Sequence, residues 1–354
     1  MRFALLGLTI VFANSCSKDN NSPKTSNIWS ELGILNASGQ INSLCSDGIN
    51  IYAAGSFTNS NGKPYVAKWN GSNWSELGNL NNSGDNINAL WVDSLGNVYA
   101  DNFFQNGPTY YHYVAKWNGS SWSNLGNLNA NCPAYSIFVD GTGNVYAGGK
   151  FTNGANESTG TPYVAKWDGN TWSEVGNLSP NGYINVIRTT PDGKIFAAGD
   201  FTENGKCYVA MWNGTTWVNS GMLTEQSTGG SVYSLGRDTK GNFYSAGSFT
   251  NAGSNGKTFL AKWSNGNQSE VPGSEVSGTI YSLTSGEIIY AGGFTNSSGF
   301  ASIAKWDGTT WSELGNLNAN NRILSLCTDN SGNVYAAGEF TNSSNKQYVA
   351  IYKK

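Results

Sequence analysis

With a single histidine, His112, and only 12% charged residues, this 354-residue chain holds little of the chemistry that most enzymes use. It has no HExxH, no GxSxG, no glycine loop feeding a helix and no Cys/His pair at useful spacing, so metallopeptidase, serine-hydrolase and phosphate-loop readings have nothing to rest on. The net charge is −3 and the sequence lacks a basic stripe, which excludes a nucleic-acid surface. Cys45, Cys132, Cys207 and Cys327 show no metal-ligand spacing, so neither a metal nor another cofactor is expected. Helical periodicity is missing as well from residue 28 onward.

Repetition fills the chain instead. The anchors WSELG, WSELG, WSNLG, WSEVG, WVNSG, QSEVPG and WSELG begin at Trp29, Trp74, Trp122, Trp172, Trp217, Gln268 and Trp311, at intervals of 43 to 51 residues. That period marks a repeat architecture. Each unit carries four short runs rich in Val, Ile, Tyr, Phe and Trp, punctuated by Gly, Asn, Asp and Ser, as antiparallel strands are. In the first complete copy these are strands A (Ile41–Ser46), B (Ile51–Phe57), C (Tyr65–Trp69) and D (Trp74–Leu77). The C–D connections Asn70-Gly71, Asn118-Gly119, Asp168-Gly169, Asn213-Gly214 and Asp307-Gly308 accept the positive φ of tight hairpin turns. One four-stranded sheet per repeat, set radially, predicts an all-β, seven-bladed β-propeller. The last repeat stops at YVAIYKK (348–354), a strand C without a strand D, and Ile28–Gly33 would supply the missing strand. Trp29–Leu32 is therefore predicted to pair antiparallel with Tyr348–Tyr352, closing the ring without long exposed edges.

The opening MRFALLGLTIVFANSC has one Arg, an apolar run too short to span a bilayer and small residues before Cys16. It reads as a secretory signal over residues 1–15, and its end resembles the lipidation site of bacterial lipoproteins, which would make Cys16 the lipidated first residue. Residues 16–27 read as a flexible tether and 28–354 as one propeller domain. Ser17-Lys18-Asp19 resembles the tag that directs some Gram-negative lipoproteins to the cell surface. The expected location is thus the cell envelope, lipid-anchored at the outer membrane, as a monomer.

Residues that recur in one column of the repeat are best explained by the blade, so departures from the columns are the candidates for a site. Twelve of the thirteen tryptophans fill two columns and read as inter-blade packing, leaving Trp91. Asp47, Asp93, Asp140, Asp192, Asp238 and Asp329 fall in A–B turns, where Asp bonds nearby backbone N–H groups, and the Glu residues of the SE column belong to strand D. B–C and D–A connections vary in length, which points to their shared rim as the functional face. Blade two departs most. Where other blades have Ala-Ala-Gly or Ala-Gly-Gly it has Ala100-Asp101-Asn102, then Phe103-Phe104, and its B–C segment carries Tyr110, Tyr111 and His112. Trp91, Asp101, Asn102, Phe103, Tyr110, Tyr111 and His112 are the candidate binding residues, with Tyr183 on the same rim and Lys150, Asp200 and Glu339 as weaker candidates. Aromatic faces beside amide and carboxylate groups suit a glycan or an extracellular protein. The alternative reading of Asp101–Phe104 is a local bulge with compensating packing. Cys45 and Cys327 occupy equivalent places in neighbouring blades, so a disulfide there stands beside the reading of both as small buried apolar residues.

The segments VYAGGKF (145–151), IYAGGF (289–294) and KWDGTTW (305–311) resemble kelch-like propeller repeats, and the wording GGxFT…AKWDGxxWSELG is similar to repeats of the fungal cortical polarity-marker family and of bacterial surface lipoprotein propellers. The resemblance covers nearly all of residues 28–354. It implies the same fold and an extracellular interaction scaffold. Kelch-like propellers also include galactose oxidase, whose copper ligands require more histidine than this chain has. The expected function is non-enzymatic binding through the B–C/D–A rim, with a glycan-active hydrolase or lyase, which needs two carboxyls about 5–10 Å apart, and a structural spacer as alternatives.

Overall fold

The computed structural model describes residues 28–354 apart from 81–83, 85, 107–108, 129, 156–157, 223–229, 251–255 and 265–266, and of residues 104–106, 109–110, 222, 264 and 267 it describes the backbone alone. The signal, the Cys16 lipidation site and the tether lie outside the described residues.

Seven antiparallel sheets of four strands stand around one axis, each in the order A-B-C-D. Blade one is typical, with strands at Ile41–Ser46, Ile51–Gly55, Ala67–Trp69 and Trp74–Glu76. The predicted closure holds: Trp29 pairs with Tyr352 and Glu31 with Ala350, and the Leu32 N–H donates to the Val349 carbonyl at 2.8 Å.

The two tryptophan columns build the outer joints between blades. The glycine ending five of the seven anchors lies beneath the AKW indole of the next blade, so a Cβ on Gly78, Gly126 or Gly176 would collide with Trp117, Trp167 or Trp212. The WS indole donates its N–H back to the previous blade, as from Trp74 to the Leu32 carbonyl at 2.7 Å and from Trp172 to Leu125 at 2.6 Å. Across the closure Trp29 donates to the Leu314 carbonyl at 2.8 Å.

The inner joints are stapled by serine, the third residue of strand A. Ser43, Ser136, Ser234 and Ser282 accept N–H bonds from Leu90, Ile187, Leu283 and Leu326 of the next blades, and Ser325 accepts one from Leu44 across the closure, all at 2.9–3.1 Å. Blades two and four carry Ala89 and Val186 there and have no hydroxyl to offer.

The turn carboxylates behave as expected in five of the A–B turns. Asp47, Asp93, Asp140, Asp238 and Asp329 each bond backbone N–H groups of their turn, the following Asn side chain and the hydroxyl of the strand B tyrosine, at 2.6–3.1 Å. Asp192 differs. Thr190 fills that place in blade four, and Asp192 pairs with Lys194 at 3.0 Å.

Strand A also bends. In blades one, three, four, five and seven its register against strand B shifts after the first residue, a bulge that re-aims the second side chain. The glycine ending strand B makes this approach tight: a Cβ on Gly55, Gly149, Gly199 or Gly338 would collide with the carbonyl of the residue before strand A. Blade two has Asn102 in that place, and its strand A is regular only over Leu90–Val92.

Candidate functional site

In the five bulged blades the bulge turns the second residue of strand A toward the axis, where the seven inner strands enclose a channel. On the B–C/D–A side these residues are Asn42, Asn88, Tyr135, Asn185, Tyr233, Tyr281 and Leu324, around a polar cavity of about 140 Å³. Three phenols and three amides therefore ring one mouth.

The amides are held from behind. Gln40 donates to Asn42 Oδ1 at 2.7 Å, Asn88 donates to Asp101 Oδ2 at 3.0 Å and Asn185 donates to Asp200 Oδ1 at 2.7 Å. The phenols are held by one another and by cations. The Tyr233 and Tyr281 rings lie 5.5 Å apart, Arg322 sits 5.9 Å from the Tyr281 ring, and Glu339 pairs with Arg322 through its Nε at 2.7 Å and through Nη2. The hydrogen bonds it donates to Glu339 hold the Arg322 guanidinium above its ordinary value. On the far side Tyr183 meets Tyr135 at 6.4 Å and lies 5.6 Å beneath the Lys150 ammonium. Burial raises the Tyr135 phenol, while the Lys150 charge pulls the other way.

Tyr183, Lys150, Asp200 and Glu339 are thus brought together with a mouth whose tyrosines the sequence reading passed over. A signal was present. Between a first residue that is nearly always aliphatic and a third that is mostly serine, the second residue of strand A is Asn or Tyr in six blades and Leu324 in the seventh.

Blade two contributes a long hairpin beside this mouth, Val98–Asn106 paired with Thr109–Trp117. Its register runs unbroken, Asn102 opposite Tyr113, Phe103 opposite His112 and Gln105 opposite Tyr110, so the bulge reading of Asp101–Phe104 is overturned. Asp101 and Asn102 are buried. Asp101 holds Asn88, accepts the Ala134 N–H at 3.4 Å and lies 3.7 Å from His112 Nδ1. Asn102 reaches Asn124 at 3.5 Å. His112 packs its ring 4.9 Å from Phe103 and bridges to Ala130 of the following D–A loop through both backbone groups. Tyr111 stands 6.2 Å from Tyr113, and the Tyr110 side chain lies outside the described residues.

Trp91 does not join the hairpin. It pairs with Tyr99 while Tyr110 pairs with Gln105, which puts the two about 20 Å apart along the strand. Trp91 faces the opposite end of the channel, 4.4 Å from Phe138. Cys45 and Cys327 line that end too, both as free thiols, and burial raises each of them. Among the described residues, no three His, Cys, Asp or Glu side chains gather into a metal cluster.

No family model matches the sequence, and no curated protein does. Solved structures of similar fold include the extracellular domain of a putative hybrid two-component system from B. thetaiotaomicron, 13% identical at a TM-score of 0.61, covering 92% of this chain. This chain spans 40% of that domain. A catalytically inactive virginiamycin B lyase from Staphylococcus aureus is 15% identical at a TM-score of 0.64, covering 92% of this chain and 99% of its own. The WD40 β-propeller domain of Doa1 is 14% identical at a TM-score of 0.60, with 92% and 95% covered. The chain is a β-propeller. Its neighbours at this identity share the fold and include both enzymes and non-enzymatic propellers.

Proposed function

We propose that the protein is a non-catalytic binding propeller of the cell envelope, lipid-anchored through Cys16, that takes a glycan or an extracellular protein on its B–C/D–A rim. The ring of Tyr135, Tyr233, Tyr281, Asn42, Asn88 and Asn185 carries this reading. Phenol faces pack against the apolar faces of sugars or side chains, and buttressed amides supply fixed donors and acceptors. Asp101 and Asp200 act through Asn88 and Asn185 as positioning residues. Phe103, Tyr111, His112 and Tyr183 would extend the surface from the mouth onto the blade-two hairpin. Kelch-like ancestry, inferred from the Gly-Gly and paired-Trp repeats, agrees with such a scaffold.

The full chain should bind on a glycan array, or capture a protein from the envelope fraction, through this rim. A Tyr110→Ala/Tyr111→Ala variant decides whether the hairpin shares in the contact. Loss of binding includes it, whereas full binding confines the site to the mouth. A chain that binds neither glycan nor envelope protein is a spacer, and the proposal fails.

Among the described residues, the buried Asp101 beside His112 is the pairing that favours a hydrolase or lyase instead. Turnover of an array ligand by the wild-type chain that Asp101→Asn abolishes would establish that second reading.

A further inference from the structure

The channel's other end, toward the A–B turns, holds a cavity of about 230 Å³ in which Arg188 is the only charged residue among the lining side chains. In blades one, two, four, six and seven the fifth residue of strand A lines this space, and the small Cys45, Thr284 and Cys327 leave room that Trp91 and Arg188 do not fill. The guanidinium lies 5.3 Å from the Trp91 ring and 5.7 Å from Phe138.

Protein atoms crowd Arg188, yet part of its surface stays open to the channel. Burial lowers it to about 10, so it is charged at neutral pH. One Nη donates to the Ile187 carbonyl at 2.8 Å, and among the described residues no carboxylate pairs with it. Asp47, Asp93 and Asp140 of the nearby turns are each engaged by their own Asn and Tyr. Two aromatic faces offset part of the cost of this cation, but neither neutralises it. An enclosed, unneutralised arginine facing an open volume is a site for an anion.

We propose that this cavity binds a small polyhydroxylated carboxylate of the sugar-acid class. The remaining N–H edge of Arg188 would hold the carboxylate as a fork. Hydroxyls of Ser46, Thr284 and Thr328, which share the lining, would meet those of the ligand. The volume equals roughly seven or eight waters, room for one sugar-acid ring. The site lies toward the A–B end of the channel and meets the mouth cavity at Leu44, Trp91, Arg188, Leu283 and Leu326, but its ligand is held by Arg188 and not by the ring of phenols and amides at the rim.

Calorimetric titration of the full chain with glucuronate, glucose and inorganic phosphate tests this, with Arg188→Met and Arg188→Lys beside it and thermal unfolding of each. Saturable glucuronate binding without glucose binding is expected. It should be abolished in Arg188→Met, whose thermal midpoint should not fall, and weakened about tenfold or more in Arg188→Lys. No saturable glucuronate binding, or binding that survives Arg188→Met, overturns the proposal, and phosphate binding as tightly at the same site overturns the sugar-acid class. If Arg188→Met fails to fold, Arg188→Lys decides, and unchanged affinity in it counts against the site.

Discussion

Gly126 holds a φ of 52° directly beneath the Trp167 indole, so a methyl group there meets both a backbone penalty and a collision. Left-handed backbone costs Ala roughly 1–2 kcal/mol and overpacking typically about 1–3 kcal/mol, so Gly126→Ala should lose about 2–5 kcal/mol in urea unfolding. Gly71, with a φ of 96° but open space around it, should lose only the backbone part, about 1–3 kcal/mol. Ser136→Ala leaves the buried Ile187 N–H without its acceptor and should cost about 1–3 kcal/mol. At this scale the frame was legible, because tryptophans that recur in two fixed columns read as inter-blade packing and the repeat supplies its own control. Asp101 and Asp200 were legible as departures but not as positioning groups. Their partners Asn88 and Asn185 sit 13 and 15 residues away, and nothing in the letters says which amide a carboxylate will meet.

The A–B turn is an element whose stability should follow pH. Burial alone would raise the carboxyls of Asp47, Asp140 and Asp238, but bonds from Asn50, Asn144 and Asn242, with backbone N–H groups of the same turns, outweigh it and hold all three below their ordinary value. The unfolded chain then binds protons more readily than the folded one, so the stabilisation is full above about pH 4, the ordinary Asp value, and is lost as pH falls through the folded values. Asp140→Asn should lower the thermal midpoint at pH 7, and the gap from the wild-type protein should narrow progressively as pH falls below about 4. Strand A teaches the opposite lesson about reading elements. In most blades its alternation is interrupted by a bulge, so a strict two-residue period assigns the second residue to the wrong face, and Tyr135, Tyr233 and Tyr281 were passed over. Trp91 was misplaced for a related reason, since standing out from the columns says nothing about which end of the channel a residue faces.

The whole ring is locked by one strand from the far end of the chain. Trp29 is buried, stacks 5.5 Å from Tyr352 and bonds the Leu314 carbonyl, so Trp29→Ala should cost about 3–5 kcal/mol in urea unfolding and act on the closure between blades six and seven. Blade number, strand order and closure were legible because the repeat count and the missing last strand agree. The binding face was legible only as a rim, since the mouth is assembled from residues of all seven blades that meet nowhere but at the axis. The most direct test replaces Tyr135, Tyr233 and Tyr281 together by Asn, the residue that blades one, two and four carry in that column, and measures thermal midpoint and ligand binding side by side. An unchanged midpoint with binding lost is the expected result, because the column builds the mouth and not the frame; binding undiminished in the triple variant would contradict a site at the channel mouth.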